Sequence, residues 1–203
     1  MLALVGLSIP ILGVIGLFSL SGGLRNLVGD TLSQVSGVMV VRENVPTPVF
    51  SDLPASLADT IRKVPGVRAV APEVWKIAPS IEGVSLIAKS ASDLFTKSKE
   101  RRLQSLFDAV VIQGQDIAAH ANLRSAVFPK ALLPPNKGGG RYLTLEDRGK
   151  PNVVISRKIA SEHKDAQGRP KQVGSTLLIG DRPFTIVGIY ETGSMFLDVV
   201  IVM

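Results

Sequence analysis

From Met1 to Leu24 the chain carries no charged side chain, and this run constrains everything that follows it. As a helix, 24 residues reach about 36 Å, enough to cross a hydrocarbon core of about 30 Å. Twelve of the first twenty residues are Leu, Ile, Val or Phe. Each contributes about −0.3 to −0.6 kcal/mol near the bilayer centre. A cleaved signal peptide is the rival reading, but it calls for a basic leading region, a shorter apolar run and a small-x-small cleavage site. No Lys or Arg precedes the run, so the sequence predicts a retained transmembrane helix over 1–24. Ala3, Gly6, Pro10 and Gly13 recur at spacings of three and four. Such a stripe lets a second helix approach closely in lipid. The plainer alternative is that Gly and Pro are simply common in membrane helices. Charge gives no orientation, because only the amino terminus lies before the run.

The remaining 179 residues hold all 40 charged side chains, 23 basic and 17 acidic, for a net charge of +6. That length is enough for one domain with a real core. Cysteine is absent, which excludes a disulfide scaffold and a thiolate metal site.

Arg25–Val35 can carry the first helix onward as a stalk over 25–36. Val38–Val41 reads as a short strand. Asp52 and Pro54 then start a helix with Leu57, Ile61 and Val64 on one face. Pro65 and Gly66 end it, and Val67–Ala71 returns as a strand. A second strand–helix–strand unit closes the chain. Asn152–Ile155 is a β-run, and Ser156 caps a helix to about His163. Ser175–Ile179 and Arg182–Tyr190 are strands joined by Gly180-Asp181, a two-residue turn of type II′. Val199–Val202 is a last apolar run, and the sequence reads there as a chain cut at a strand. Gly66, Gly174, Gly180 and Gly188 are predicted to serve turns or close packing. Between these units, Val84–Ala88 and Ala109–Gln113 read as strands within a loop-rich middle. The fold class is therefore α+β: a transmembrane helix, a stalk, and an extracytoplasmic domain over 37–203 with a variable part at about 90–150.

Catalytic and cofactor signatures are weak. Gly138-Gly139-Gly140 has no following Gly-Lys-Ser/Thr and reads as part of a long loop, not a phosphate cradle. Ser161 and Lys164 fit a Ser-x-x-Lys pattern without its companion motifs. His120 and His163 are the only histidines, with no second ligand at metal spacing. Trp75 reads as a core or junction residue. Lys97, Lys99, Arg101 and Arg102 leave three readings open: anionic headgroups, nucleic acid, or a solvated face, the last being the default. Aromatic residues make up only 5%, against a nucleic-acid module. No cofactor, metal or catalytic residue is predicted.

Taken in order, several stretches resemble the extracytoplasmic core domain of MacB/FtsX-like ABC transporter permeases. These are the first membrane helix with its stalk; Arg62–Pro72, similar to the family's helix-ending Pro-Gly-Val and following strand; and Val110–Asp116, similar to its apolar strand, Gly, x, Asp. Val153–Ala160 resembles its strand-to-helix signature, with Arg157 where an acid often stands. Gly174–Tyr190 is similar to a hairpin ending in Val-Gly-Ile, and Phe196–Val202 to the strand that returns towards a second membrane helix. The resemblance implies a permease of the inner membrane, paired with a second permease and with an ABC ATPase as a separate chain or region. It also implies a stalk that conveys ATP-driven motion to an outer domain handling or gating export. A periplasmic adaptor or an outer-membrane partner is compatible with it. Three further membrane helices would follow Met203. The alternatives are a single-pass anchored binding or scaffold protein and, on Ser161 and Lys164 alone, an anchored hydrolase.

Overall fold

The computed structural model describes residues 2–35, 37–45, 47–85, 109–123 and 126–203. The chain divides into two compact units, 1–36 and 37–203. In the first, a single helix α1 runs over Leu2–Gln34 without interruption. Over 11–23 its side chains are exposed, Leu12, Leu17, Phe18 and Leu20 among the most open. Over Ile11–Gln34 this helix is long and apolar enough to cross a membrane. The surroundings of Ala3, Gly6 and Pro10 lie outside the described residues. A Cβ on Gly13 would meet nothing within 4 Å.

The second unit is built on one mixed sheet. Its strands are β1 (Glu73–Ile77), β2 (Ser80–Ile81), β3 (Val84–Ser85), β4 (Val111–Gln115), β5 (Asn152–Ser156), β6 (Thr176–Ile179), β7 (Arg182–Tyr190) and β8 (Val200–Val202). Among the described residues the order is β1-β4-β8-β5-β7-β6-β2-β3. β4 runs parallel to β8, and β5 parallel to β7. The other neighbours are antiparallel. Short helices decorate the sheet: α2 (Leu57–Arg62), α3 (Ile117–His120), α4 (Val127–Lys130) and α5 (Arg157–Glu162).

Alternating side chains along the central strands divide between two cores, one on each face of the sheet. Val153, Ile155, Ile186, Ile189 and Ile201 pack with Ile159 and Ala160 of α5. Val154, Tyr190, Val200 and Val202 pack on the other face with Phe128 of α4 and Leu143. Burial on both faces explains why β5 and β8 read as unbroken apolar runs rather than as alternating ones. Ser156 ends β5 and caps α5: its hydroxyl accepts from Ile159 N at 3.1 Å and donates to Asp198 O at 2.5 Å.

β7 has two different partners along one edge. Its first half pairs with β6. Its second half receives the segment 132–141, through Leu133 N to Ile189 O at 3.0 Å, Ile189 N to Gly139 O at 2.8 Å and Arg141 N to Val187 O at 2.9 Å. The Gly138–Gly140 run, expected as part of a long loop, is thus pinned to the sheet. A Cβ on Gly139 would lie 1.6 Å from Leu133 O, and one on Gly188 would lie 2.2 Å from Arg141 O.

The first strand–helix–strand unit is not formed as expected. Val38–Val41 lies outside every strand, with Val38 92% exposed; its apolarity finds no neighbouring strand. Nor is Val67–Ala71 a strand. Pairing starts only after Pro72, which has no N–H to give a ladder and whose carbonyl accepts from Asp116 N. The helix expected from Asp52 and Pro54 is confined to α2, with i→i+3 turns at Pro54 and Ala55 before it. Leu57 and Ile61 are half-buried on it, and Val64 lies beyond its end, 49% exposed. Pro65 and Gly66 follow in the turn, Gly66 with φ +90°. Of Val84–Ala88, residues 84–85 are β3 and the rest lie outside the described residues, as do Lys97, Lys99, Arg101 and Arg102. The strand read at Ala109–Gln113 begins two residues later, at Val111.

In the β6–β7 hairpin Ile179 pairs with Arg182. Gly180 has φ +59°, whereas Asp181 has a negative φ, as a type II′ turn requires. Gly180→Val places a β-branched residue in left-handed space, with its Cβ 3.5 Å from Pro79 Cγ. The expected cost is about 1–2 kcal/mol, seen as a lower thermal midpoint than that of Asp181→Val. Equal midpoints would contradict the turn.

Candidate functional site

Among the described residues, Asp147 is the most heavily bonded side chain of the domain. It is 4% exposed and sits at the end of a single 3₁₀ turn, Leu145–Asp147. The Arg141 guanidinium donates to both of its oxygens, at 2.5 and 2.8 Å. Thr144 donates its N–H at 2.7 Å and its hydroxyl at 3.1 Å, and Asn152 its amide at 2.7 Å. Arg141 above all, then Thr144 and Asn152, hold this carboxyl well below the usual range against the opposing effect of burial. Such a group is saturated with donors and has no lone pair to spare for a proton or a metal. Its role is to tie Arg141, the 3₁₀ turn and the start of β5 together.

Beside this clamp lies an open cleft of about 310 Å³, lined in part by Gln115, Asp116, Ile117, Leu143, Lys150 and Met203. One wall is α3, capped by Asp116, whose carboxylate accepts from Ala118 N and Ala119 N at 3.0 and 3.2 Å. The cleft therefore sits where β4 ends, β8 ends and β5 begins.

At the β1–β4 margin lies a second, partly buried polar group. Glu73 accepts from Trp75 Nε1 at 2.7 Å, and its Oε1 is 3.0 Å from His120 Nε2. Burial alone would raise the Glu73 carboxyl. His120, Gln113 and Trp75 outweigh that and hold it below its ordinary value. Tyr142, hydrogen-bonded to Gln115 at 3.2 Å, is pushed up to about 12, chiefly by burial. Trp75, expected as a core or junction residue, lies within β1 and packs on the second core. At the opposite end of the sheet, Asp198 fastens the 191–199 turn by accepting from Thr192 N and Oγ1 and from Gly193 N.

Asp147 and Asp198 are structural ties, and Ser161 of the Ser161/Lys164 pattern is engaged within its own helix. Ser161 Oγ donates to Arg157 O at 2.8 Å within α5. His120 ends α3, whereas His163 follows the last residue of α5. Among the described residues no three His, Asp or Glu side chains converge as a metal site. Of the glycines singled out in the sequence, Gly174 takes a left-handed φ of +88°, and Gly188 lies under the Arg141 carbonyl. Sequence reading missed Asp147, although Thr144-x-x-Asp147 is a visible capping pattern. Glu73 and Gln113 carry no local signal, since their partners are remote in sequence.

Comparison with curated protein sequences finds no match. Among solved structures, the extracellular domain of the noncanonic ABC-type transporter YknZ from Gram-positive bacteria is 14% identical, with a TM-score of 0.46, over 74% of this chain and 61% of that one. The periplasmic region of MacB from Actinobacillus actinomycetemcomitans is 16% identical, with a TM-score of 0.43, over 74% of this chain and 54% of that one. The chain thus spans little more than half the length of these structures. The family model of the MacB-like periplasmic core domain matches residues 1–203, the whole sequence. The chain therefore belongs to the MacB-like periplasmic core domain family, that of the MacB/FtsX-like ABC transporter permeases.

Proposed function

We propose that this chain is the first membrane helix and the extracytoplasmic domain of a permease subunit in an inner-membrane ABC transporter. The carrying observation is the continuity of α1, a helix of membrane length, with a sequence that matches a periplasmic core domain from end to end. In this reading residues 1–24 are retained in the bilayer and residues 25–36 are the stalk. A separate ABC ATPase drives a pair of such permeases. Their helix motion passes through the stalk to the outer domain, which handles or gates a substrate. The stripe of Ala3, Gly6, Pro10 and Gly13 would face another helix. A periplasmic adaptor or outer-membrane partner fits the same arrangement. The internal ties at Asp147 and Asp198 favour a domain that moves as a body, since buried and fully satisfied polar networks rigidify the structure around them.

Reading the gene beyond codon 203 tests this proposal. Three more apolar runs of about 20 residues are expected; a stop codon directly after Met203 would favour the anchored scaffold instead. The domain is also expected to lack hydrolase turnover. Any ester or peptide hydrolysis by the purified chain that disappears in Ser161→Ala would overturn that expectation.

A further inference from the structure

Two buried polar atoms at the β1–β4 margin have no hydrogen-bond partner: Gln113 Oε1 and His120 Nε2. Gln113 is 3% exposed, and the His120 side chain is 8% exposed. An orphaned buried acceptor is costly relative to a bonded one, so it calls for an occupant. The two atoms belong to one cluster. His120 Nε2 is 3.0 Å from Glu73 Oε1 yet is not aligned to donate to it. The Gln113 side chain hydrogen-bonds to the same Glu73 carboxylate.

His120 Nε2 and Glu73 Oε1, 3.0 Å apart, have the spacing of two adjacent ligands on one metal ion. With metal–ligand bonds of about 2.0–2.2 Å, that separation corresponds to an angle near a right angle at the metal. The cluster comes from three elements that pack together: Glu73 on β1, Gln113 on β4 and His120 at the end of α3. β1 and β4 are held in register, with Trp75 opposite Gln113. Trp75 Nε1 occupies the other Glu73 oxygen and so orients the one facing His120, as outer-shell donors do in metal sites. Asp116 caps α3 and fixes the helix that carries the imidazole.

We propose that Glu73, His120 and Gln113 form a binding site for one transition-metal cation, taken through imidazole Nε2, one carboxylate oxygen and the amide oxygen. An N/O donor set containing an imidazole suits Zn²⁺, Ni²⁺ or Cu²⁺ rather than Ca²⁺ or Mg²⁺, which prefer all-oxygen shells. Three protein ligands leave a position for water. Bound metal would cross-link α3, one wall of the cleft, to the edge of the sheet. Its role is structural or regulatory, and it requires no chemistry elsewhere in the domain.

The experiment uses the full chain without a histidine tag, in nanodiscs, stripped with chelator and titrated with Zn²⁺ by calorimetry. Co²⁺ serves as a spectroscopic probe of the ligand set. Saturable uptake of a single Zn²⁺ per chain is expected, with a rise in thermal midpoint. His120→Gln should abolish the uptake, Glu73→Gln should weaken it at least tenfold, and His163→Gln should leave it unchanged. Circular dichroism of each metal-free variant, matched to the parent, separates lost ligands from lost fold. No uptake by the parent chain would overturn the proposal. So would uptake that survives His120→Gln, or that His163→Gln abolishes instead.

Discussion

Gly139→Ala is expected to leave the domain largely unfolded at growth temperature, the largest single-residue effect foreseen for this chain. The added Cβ would fall 1.6 Å from Leu133 O, inside the backbone of the chain that crosses it. No rotamer relieves that clash, because a Cβ is fixed by the backbone. The segment 132–141 would have to lift from β7, breaking the bonds from Leu133 N to Ile189 O and from Ile189 N to Gly139 O. Leu132 and Leu133, which pack against the two cores, would move with it. A cost above about 4 kcal/mol is expected, a drop of roughly 10 °C or more in melting temperature for a domain of this size. Gly188→Ala, meeting the Arg141 carbonyl at 2.2 Å, should behave alike. Gly138 and Gly149 provide the contrast. Both have positive φ but open space around the missing side chain, so Ala there should cost only about 1–2 kcal/mol, from left-handed strain. A Gly139→Ala protein melting within a few degrees of Gly149→Ala would contradict the packing described.

Asp147→Ala is expected to destabilise the domain by about 2–4 kcal/mol, because it leaves several inward-facing donors without their shared acceptor. The loss is not that of the Arg141 pair alone. Thr144 N, Thr144 Oγ1 and Asn152 Nδ2 also lose their acceptor. Arg141→Gln should cost clearly less, about 1 kcal/mol, because the guanidinium is half in solvent and Asp147 keeps its other donors. Equal losses in the two variants would show that the ion pair, rather than the whole donor set, carries the stability. The pH dependence follows from the sign of the shift. Asp147 is held below its ordinary value of 3.8. Its contribution is therefore complete above that value and is lost as pH falls through the lower folded value. Parent and Asp147→Asn melting curves should converge on acidification below about pH 4 and run parallel above it. Parallel curves down to pH 2 would contradict this assignment.

The elements legible in the sequence are those whose local chemistry matches their final setting. β5, β7, β8 and the Gly180-Asp181 turn were readable because central strands buried on both faces leave unbroken apolar runs, bounded by turn residues. Ser156 was readable as a cap because its bond is to the third residue of its own helix. β1, with the sequence EVWKI, escaped notice: at the sheet margin its charged ends and exposed Val74 blur the alternation. Val38–Val41 misled for the converse reason, since apolarity signals a strand only when an edge is available to pair with. The Gly138–Gly140 run looked like slack because composition does not distinguish a glycine that bends from one that admits a neighbouring backbone. Glu73, Gln113 and His120 are far apart in the chain, and only the fold brings them together. Nothing local marks that kind of site.

The most direct test of the account is topological, and the absence of native cysteine makes it clean. A single cysteine placed at the exposed Lys164 reports on which side of the membrane the domain lies. In intact spheroplasts, Lys164→Cys should react fully with a membrane-impermeant maleimide. The full-length chain should also stay in the membrane pellet after alkaline carbonate extraction. Labelling that appears only after lysis, or release of the chain into the carbonate supernatant, would contradict a membrane-anchored extracytoplasmic domain.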